Sequence, residues 1–95
     1  MQITVRSVAL IKTLLGRGEI EVALPDGGDL DALFTRLGEI GGAKLAPYVA
    51  VPKNANDHLP LRVIVNGKDI SALAGRRTEL RDGDDVLIFM PLAGG

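Results

Sequence analysis

Polar and apolar residues alternate from Gln2 to Arg6, with Ile3 and Val5 on one face, which is the period of a half-buried strand. Val8 to Leu15 loses that alternation, and Gly16 and Gly18 then punctuate the chain. Alternation returns from Glu19 to Leu24, with Ile20, Val22 and Leu24 inward and Glu19 and Glu21 outward. Pro25-Asp26-Gly27-Gly28 stops it. The two segments read as an antiparallel pair of strands, joined by a loop with glycine at its far end.

A helix is expected next. Asp29 is placed to cap it, and Asp31 puts negative charge in the first turn, where the helix dipole favours it. Leu30, Leu33, Phe34 and Leu37 recur at helical spacing, and Ile40 extends the stripe. Gly41-Gly42 ends the helix after about three turns, and Gly38 weakens its last one. From Ala43 to Pro60 the pattern dissolves into an irregular excursion, with Pro47, Pro52 and Pro60 and the polar Asn54, Asn56 and Asp57. Tyr48 and Val49 are its candidates for packing back onto the body.

Leu61 to Val65 is apolar and β-branched, the best candidate for a central strand. Asn66-Gly67 signals a tight hairpin, and Lys68-Asp69-Ile70 would begin the return strand. Ser71 to Gly75 reads as a turn or short helical piece, Thr78-Glu79-Leu80 as a short strand, and Arg81 to Asp85 as a polar turn. Val86 to Met90 is a second buried strand that Pro91 ends, because proline cannot donate to a ladder. The order of elements predicts an α+β fold. One main helix, crossing over between the second strand and a later one, packs on one face of a mixed sheet of four to five strands.

Composition narrows the chemistry. Charged residues make up 24% of the chain and hydrophobic ones 46%, so an ordinary soluble domain is expected. With 11 basic and 12 acidic residues there is no cationic excess to displace counterions, which argues against nucleic-acid binding. No apolar run is long enough for a membrane span, and no leader is visible, so a cytoplasmic location is expected. Cysteine is absent, which removes thiolate ligands and nucleophiles together. His58 stands alone in the irregular stretch, without a second ligand at metal spacing. Asp82, Asp84 and Asp85 do not follow the calcium-loop pattern and read as a solvated turn. No phosphate loop follows Gly27-Gly28 or Gly41-Gly42. Arg76-Arg77 reads as surface charge, with a docking patch as the alternative. An enzyme site, a metal and a bound cofactor are therefore not expected.

The remaining feature is the terminal run Pro91-Leu92-Ala93-Gly94-Gly95. Glycine carries no Cβ, so such a tail can thread a narrow channel and present its carboxylate there. A frayed end is the plain alternative. The Val-Ile-Val-Asn-Gly-Lys-Asp-Ile segment, the Leu80 to Val86 turn and the apolar strand leading into Gly94-Gly95 come in an order that resembles the MoaD/ThiS family of ubiquitin-like β-grasp sulfur carriers. The resemblance implies a β-grasp domain over residues 1–91 and a flexible tail over residues 92–95.

It also implies that Gly95 is the reacting residue. A ubiquitin-activating-like adenylyltransferase would spend ATP to adenylate its carboxylate. A sulfurtransferase or desulfurase would then supply sulfur to form a thiocarboxylate. Gly94, Ala93 and Leu92 would form the slender approach, and Phe89 and Pro91 would help dock partners; for Phe89, a place in the core is the other reading. The Asn-Gly-Lys-Asp-Ile segment, the acidic turn and Met90-Pro91 are most like the MoaD branch, which implies the large catalytic subunit of molybdopterin synthase as the sulfur acceptor. Carriers for thiamine, tungsten-cofactor or cysteine synthesis, a modifier that forms lysine conjugates, and a non-covalent adaptor remain alternatives.

Overall fold

A computed structural model describes residues 1–49 and 61–90. Five strands form one mixed sheet in the order β2-β1-β5-β3-β4, built from β1 (Gln2–Ser7), β2 (Glu19–Ala23), β3 (Arg62–Val65), β4 (Lys68–Asp69) and β5 (Asp85–Phe89). β1 pairs antiparallel with β2 and parallel with β5, and β3 pairs antiparallel with β5 and β4. The centre of the sheet is therefore β5, and the strand expected there, β3, lies beside it. β2 and β3 run in the same direction on opposite sides of the β1–β5 pair, so the long helix between them is a crossover.

That helix is α2 (Leu30–Gly41), and it begins as the pattern requires: the Ala32 N–H donates to Asp29 Oδ1 at 3.0 Å. Its stripe, Leu30, Leu33, Phe34 and Leu37, is buried against Ile3, Val5, Val22, Val63, Val65, Val86 and Ile88 of the sheet. Apolar area removed from water on both layers is the main favourable term holding them together. Ile40 stays outside that contact, 44% exposed. In place of the irregular stretch expected from Ala43, the chain makes a 3-10 turn and a short α3 (Ala46–Val49); Val49 is buried and Tyr48 half-buried against the core, as expected of those two residues. Ala50 to Pro60, with His58, lies outside the described residues.

Four further local readings need correcting. Ala9–Leu15 forms a further helix, α1, ended by Gly16 in the left-handed region at φ 84°. Its Ile11, Leu14 and Leu15 pack on the core at helical spacing. Asn66-Gly67 makes the expected turn, with φ of 50° and 86° as a type I′ hairpin demands, but the return strand stops at Asp69. There the Asp69 carboxylate accepts the Ser71 N–H at 2.9 Å and starts a 3-10 turn instead. Residues Thr78 to Leu80 are not a strand beyond one bridge, Asp29 to Glu79. Finally, Arg76 is buried, not surface charge, and its Nε donates to Asp31 at 2.7 Å.

Candidate functional site

β5 is flanked on both sides, and its residues alternate between two environments. Val86 and Ile88 are buried under α2, while Asp85, Leu87 and Phe89 lie on the opposite face, which α2 leaves uncovered, and are partly exposed. Phe89 is thus outside the core cluster, against the reading that places it in the core. In register beside it, Leu87 stands between Arg6 of β1 and Ile64 of β3, and Phe89 stands opposite Arg62. The result is an apolar stripe, Ile64, Leu87 and Phe89, bracketed by two exposed arginines.

The arginines are held in place. Arg6 reaches Glu19 through Nη1 and Asp85 through Nε, each at 2.9 Å. The hydrogen bond to Asp85 comes first among the causes that raise the Arg6 pKa, ahead of the nearby charges of Asp85 and Glu19. Arg62 donates to Asp69 through Nη2 at 2.8 Å and Nε at 3.1 Å. The Ser71 N–H, ahead of Arg62, holds the Asp69 carboxyl below its ordinary range. Both bridges are solvent-exposed, so they orient the side chains more than they stabilise the fold.

The sheet end from which β5 departs carries further apolar surface. Ser7 pairs with Ile88, so Val8 and Leu10, 51% and 41% exposed, follow at the same end of the sheet. Sequence reasoning missed both, although Val8 to Ile11 is an unbroken apolar run; burial of Ile11 beside exposed Val8 and Leu10 becomes visible only once α1 is placed. The tail residues Pro91, Leu92, Ala93, Gly94 and Gly95, and with them the expected domain boundary at residue 91, lie outside the described residues. Of the predicted site, Phe89 is the residue the structure places.

The acidic turn has local duties. Asp82 Oδ1 accepts the Gln2 N–H at 2.6 Å, Asp84 accepts the Arg81 N–H and the Asn66 amide at 2.8 and 2.9 Å, and Asp85 holds Arg6. These carboxylates serve turn closure. Among the described residues, no cluster of His, Cys, Asp and Glu is arranged to hold a metal ion, and no helix is long and apolar enough to cross a membrane.

The family model for ThiS matches residues 5–95. The chain belongs to the ThiS family. Small archaeal modifier protein 3 of Haloferax volcanii is 30% identical to it over the full length of both chains. A provisionally named molybdopterin converting factor, subunit 1, from Pyrococcus furiosus superposes with a TM-score of 0.77 at 25% identity, covering 97% of this chain and 99% of that one. A structure of the BexX/CysO complex of Amycolatopsis orientalis contains a chain that superposes with a TM-score of 0.70, also at 25% identity, over 98% of this chain and 99% of that one. The expected β-grasp fold is thereby established. This ThiS-family chain is one of the ubiquitin-like sulfur carriers and modifiers, a group of small protein carriers and not of catalytic enzymes.

Proposed function

We propose that this ThiS-family protein carries sulfur on Gly95, as a thiocarboxylate, for molybdopterin synthesis. The observation that supports the reading is the family match, which runs to residue 95 and so includes Gly94-Gly95. A carboxylate is a poor acyl electrophile because it has no good leaving group. Attack of the Gly95 carboxylate oxygen on the α-phosphorus of ATP, with loss of pyrophosphate, supplies one. A sulfur nucleophile then adds to the acyl-adenylate carbonyl, AMP departs, and the carboxyl oxygen lost with it is replaced by sulfur. Both steps take place in a ubiquitin-activating-like adenylyltransferase and its sulfur donor, and the carrier binds no cofactor of its own.

The carrier's share is recognition. The stripe of Ile64, Leu87 and Phe89, with Arg6 and Arg62 at its margins, seats the body on a partner, and Pro91, Leu92 and Ala93 lead Gly94-Gly95 into its channel. Burying a side chain the size of Phe89 or Leu87 contributes about 1.5–3 kcal/mol. The likeness to molybdopterin converting factor, subunit 1, favours the large subunit of molybdopterin synthase as the sulfur acceptor.

A second reading is favoured by the 30% identity to an archaeal modifier protein. A target lysine amine attacking the same acyl-adenylate gives an amide, so one activation serves both outcomes. Intact mass of the protein after incubation with ATP, an activating enzyme and sulfide distinguishes them. A gain equal to one oxygen-for-sulfur exchange, absent from a variant lacking Gly95, is the expected result. Lysine-linked adducts without that exchange would replace the carrier reading with the modifier reading. No change of either kind would overturn both.

A further inference from the structure

The edge of the sheet at β2, unpaired on its outer side among the described residues, has a groove beside it. Met1 and Leu24 exchange both backbone bonds, at 2.7 and 2.9 Å, and the Ser7 N–H donates to Gly18 O at 2.9 Å. These contacts set the phase of the β1–β2 ladder, in which Ile20 and Val22 turn their backbone groups toward β1. Glu19, Glu21 and Ala23 therefore turn theirs outward, and no other described strand pairs with them. Below this edge, on the helix side, lies a cavity of about 420 Å³ lined by Arg17, Glu19, Ile20, Glu21 and Ile40. Its floor is apolar: Ile20 is half-covered, and Ile40 is the large side chain on α2 that the core leaves out.

We infer that this edge accepts an extended segment of a partner protein as a further strand, with an apolar side chain over Ile20 and Ile40 and basic side chains beside Glu19 and Glu21. The alternation of a strand imposes that pattern, since neighbouring side chains of the added segment face opposite sides of the sheet. Charge selects a basic partner over a second copy of this chain. Glu19 is already paired with Arg6, but Glu21 accepts only the Thr4 hydroxyl, at 2.8 Å, and has no ion pair among the described residues. Two β2 edges meeting would bring like charges face to face, which is unfavourable. Arg17, at the entrance to β2, marks the end of the groove where the partner's charge changes sign. With β1 between β2 and β5, the segment leaves the Phe89 face open, so it can add to, and need not compete with, engagement of the tail.

The test uses the full-length protein and a short synthetic peptide alternating lysine and valine, followed by amide shifts and amide exchange. The expected result is protection of the Glu19, Glu21 and Ala23 amides and shifts at Ile40. Glu21→Lys or Ile40→Asp should each weaken the peptide about tenfold, the scale of one reversed charge pair or one lost apolar contact. The unperturbed Val86 and Ile88 signals report that the variants fold, and Glu21→Gln serves if the reversal does not. Equal binding by a peptide alternating glutamate and valine, an absence of protection at the outward amides, or shifts confined to Leu87 and Phe89 would each overturn the inference.

Discussion

Arg76 Nε donates to Asp31 Oδ1 at 2.7 Å while only 6% of Arg76 is exposed. Asp31 lies in the first turn of α2 and Arg76 in the 3-10 turn Gly75–Arg77, so the contact ties the helix start to the segment that precedes Glu79. Breaking a buried pair costs about 3–5 kcal/mol, and the partial exposure of Asp31, 28%, returns some of that to water. Arg76→Ala is therefore expected to cost about 2–3 kcal/mol, and with it roughly 10 °C or more of melting temperature in a domain of this size. Thermal unfolding followed by circular dichroism checks it; a shift within a degree or two would mean that the pair is energetically idle.

The glycines around the end of α2 predict opposite signs. A Cβ on Gly41 would sit 2.5 Å from both Cβ and Cδ2 of Leu45, which is fully buried and has nowhere to go. Gly41→Ala should destabilise by about 1–3 kcal/mol, the range for overpacking. A Cβ on Gly38 meets only Val49 Cγ2 at 3.6 Å, an ordinary contact. Gly38→Ala should gain about 0.5–1 kcal/mol from helix propensity. Denaturant midpoints of the two variants decide the point, and equal signs would refute the packing argument.

The same residues mark what a reader of the sequence can and cannot see. The stripe Leu30, Leu33, Phe34 and Leu37 and the Asp29 cap follow from local spacing, and so does the turn at Asn66-Gly67, because each depends on residues within a few positions. α1 escaped because its seven residues carry no side-chain cap at Val8 and begin with Ala9 at φ 51°, although Ile11, Leu14 and Leu15 held the helical spacing. The burial of Arg76 could not be read at all: its partner lies 45 positions away, and the charge looked like any surface arginine. For the candidate site, alternation along β5 correctly put Phe89 on the uncovered face once the helix was assigned to Ile88. Its neighbours Arg6, Arg62 and Ile64 come from strand pairing across the sheet, which periodicity within one strand does not encode.

Asp69 carries a pH signature. The Ser71 N–H and, less strongly, Arg62 favour its ionised form, so its pKa in the folded protein lies below the unfolded value of about 4. A depressed carboxylate pKa contributes stability that is complete above the unfolded pKa and is lost as pH falls through the folded one. The wild-type protein should therefore melt above Asp69→Asn at neutral pH, and the gap should close as pH drops below about 4. Melting temperatures measured across pH 2 to pH 7 for both proteins would show this. A gap that is independent of pH would assign the effect to the shape of the turn and not to its charge.

Phe89 separates recognition from folding. It is partly exposed, lies off the core cluster, and stands opposite Arg62 on the face that α2 leaves uncovered. Phe89→Ser should therefore change the melting temperature little. If the proposed docking is correct, the loss of roughly half to all of the burial of that ring, about 1.5–3 kcal/mol, should weaken the partner complex by about tenfold to a hundredfold. The weakening should appear in the KM of the activating enzyme for this protein and leave kcat nearly unchanged, because in the proposed reaction Gly95 and not Phe89 meets the reacting phosphorus. Ile88→Ser, directed into the core from the adjacent position of β5, should do the reverse and unfold the domain. Steady-state kinetics and melting curves of the two variants test the assignment together. A stable Phe89→Ser protein with an unchanged KM would place the docking surface elsewhere, with Val8 and Leu10 at the same sheet end as the next residues to substitute.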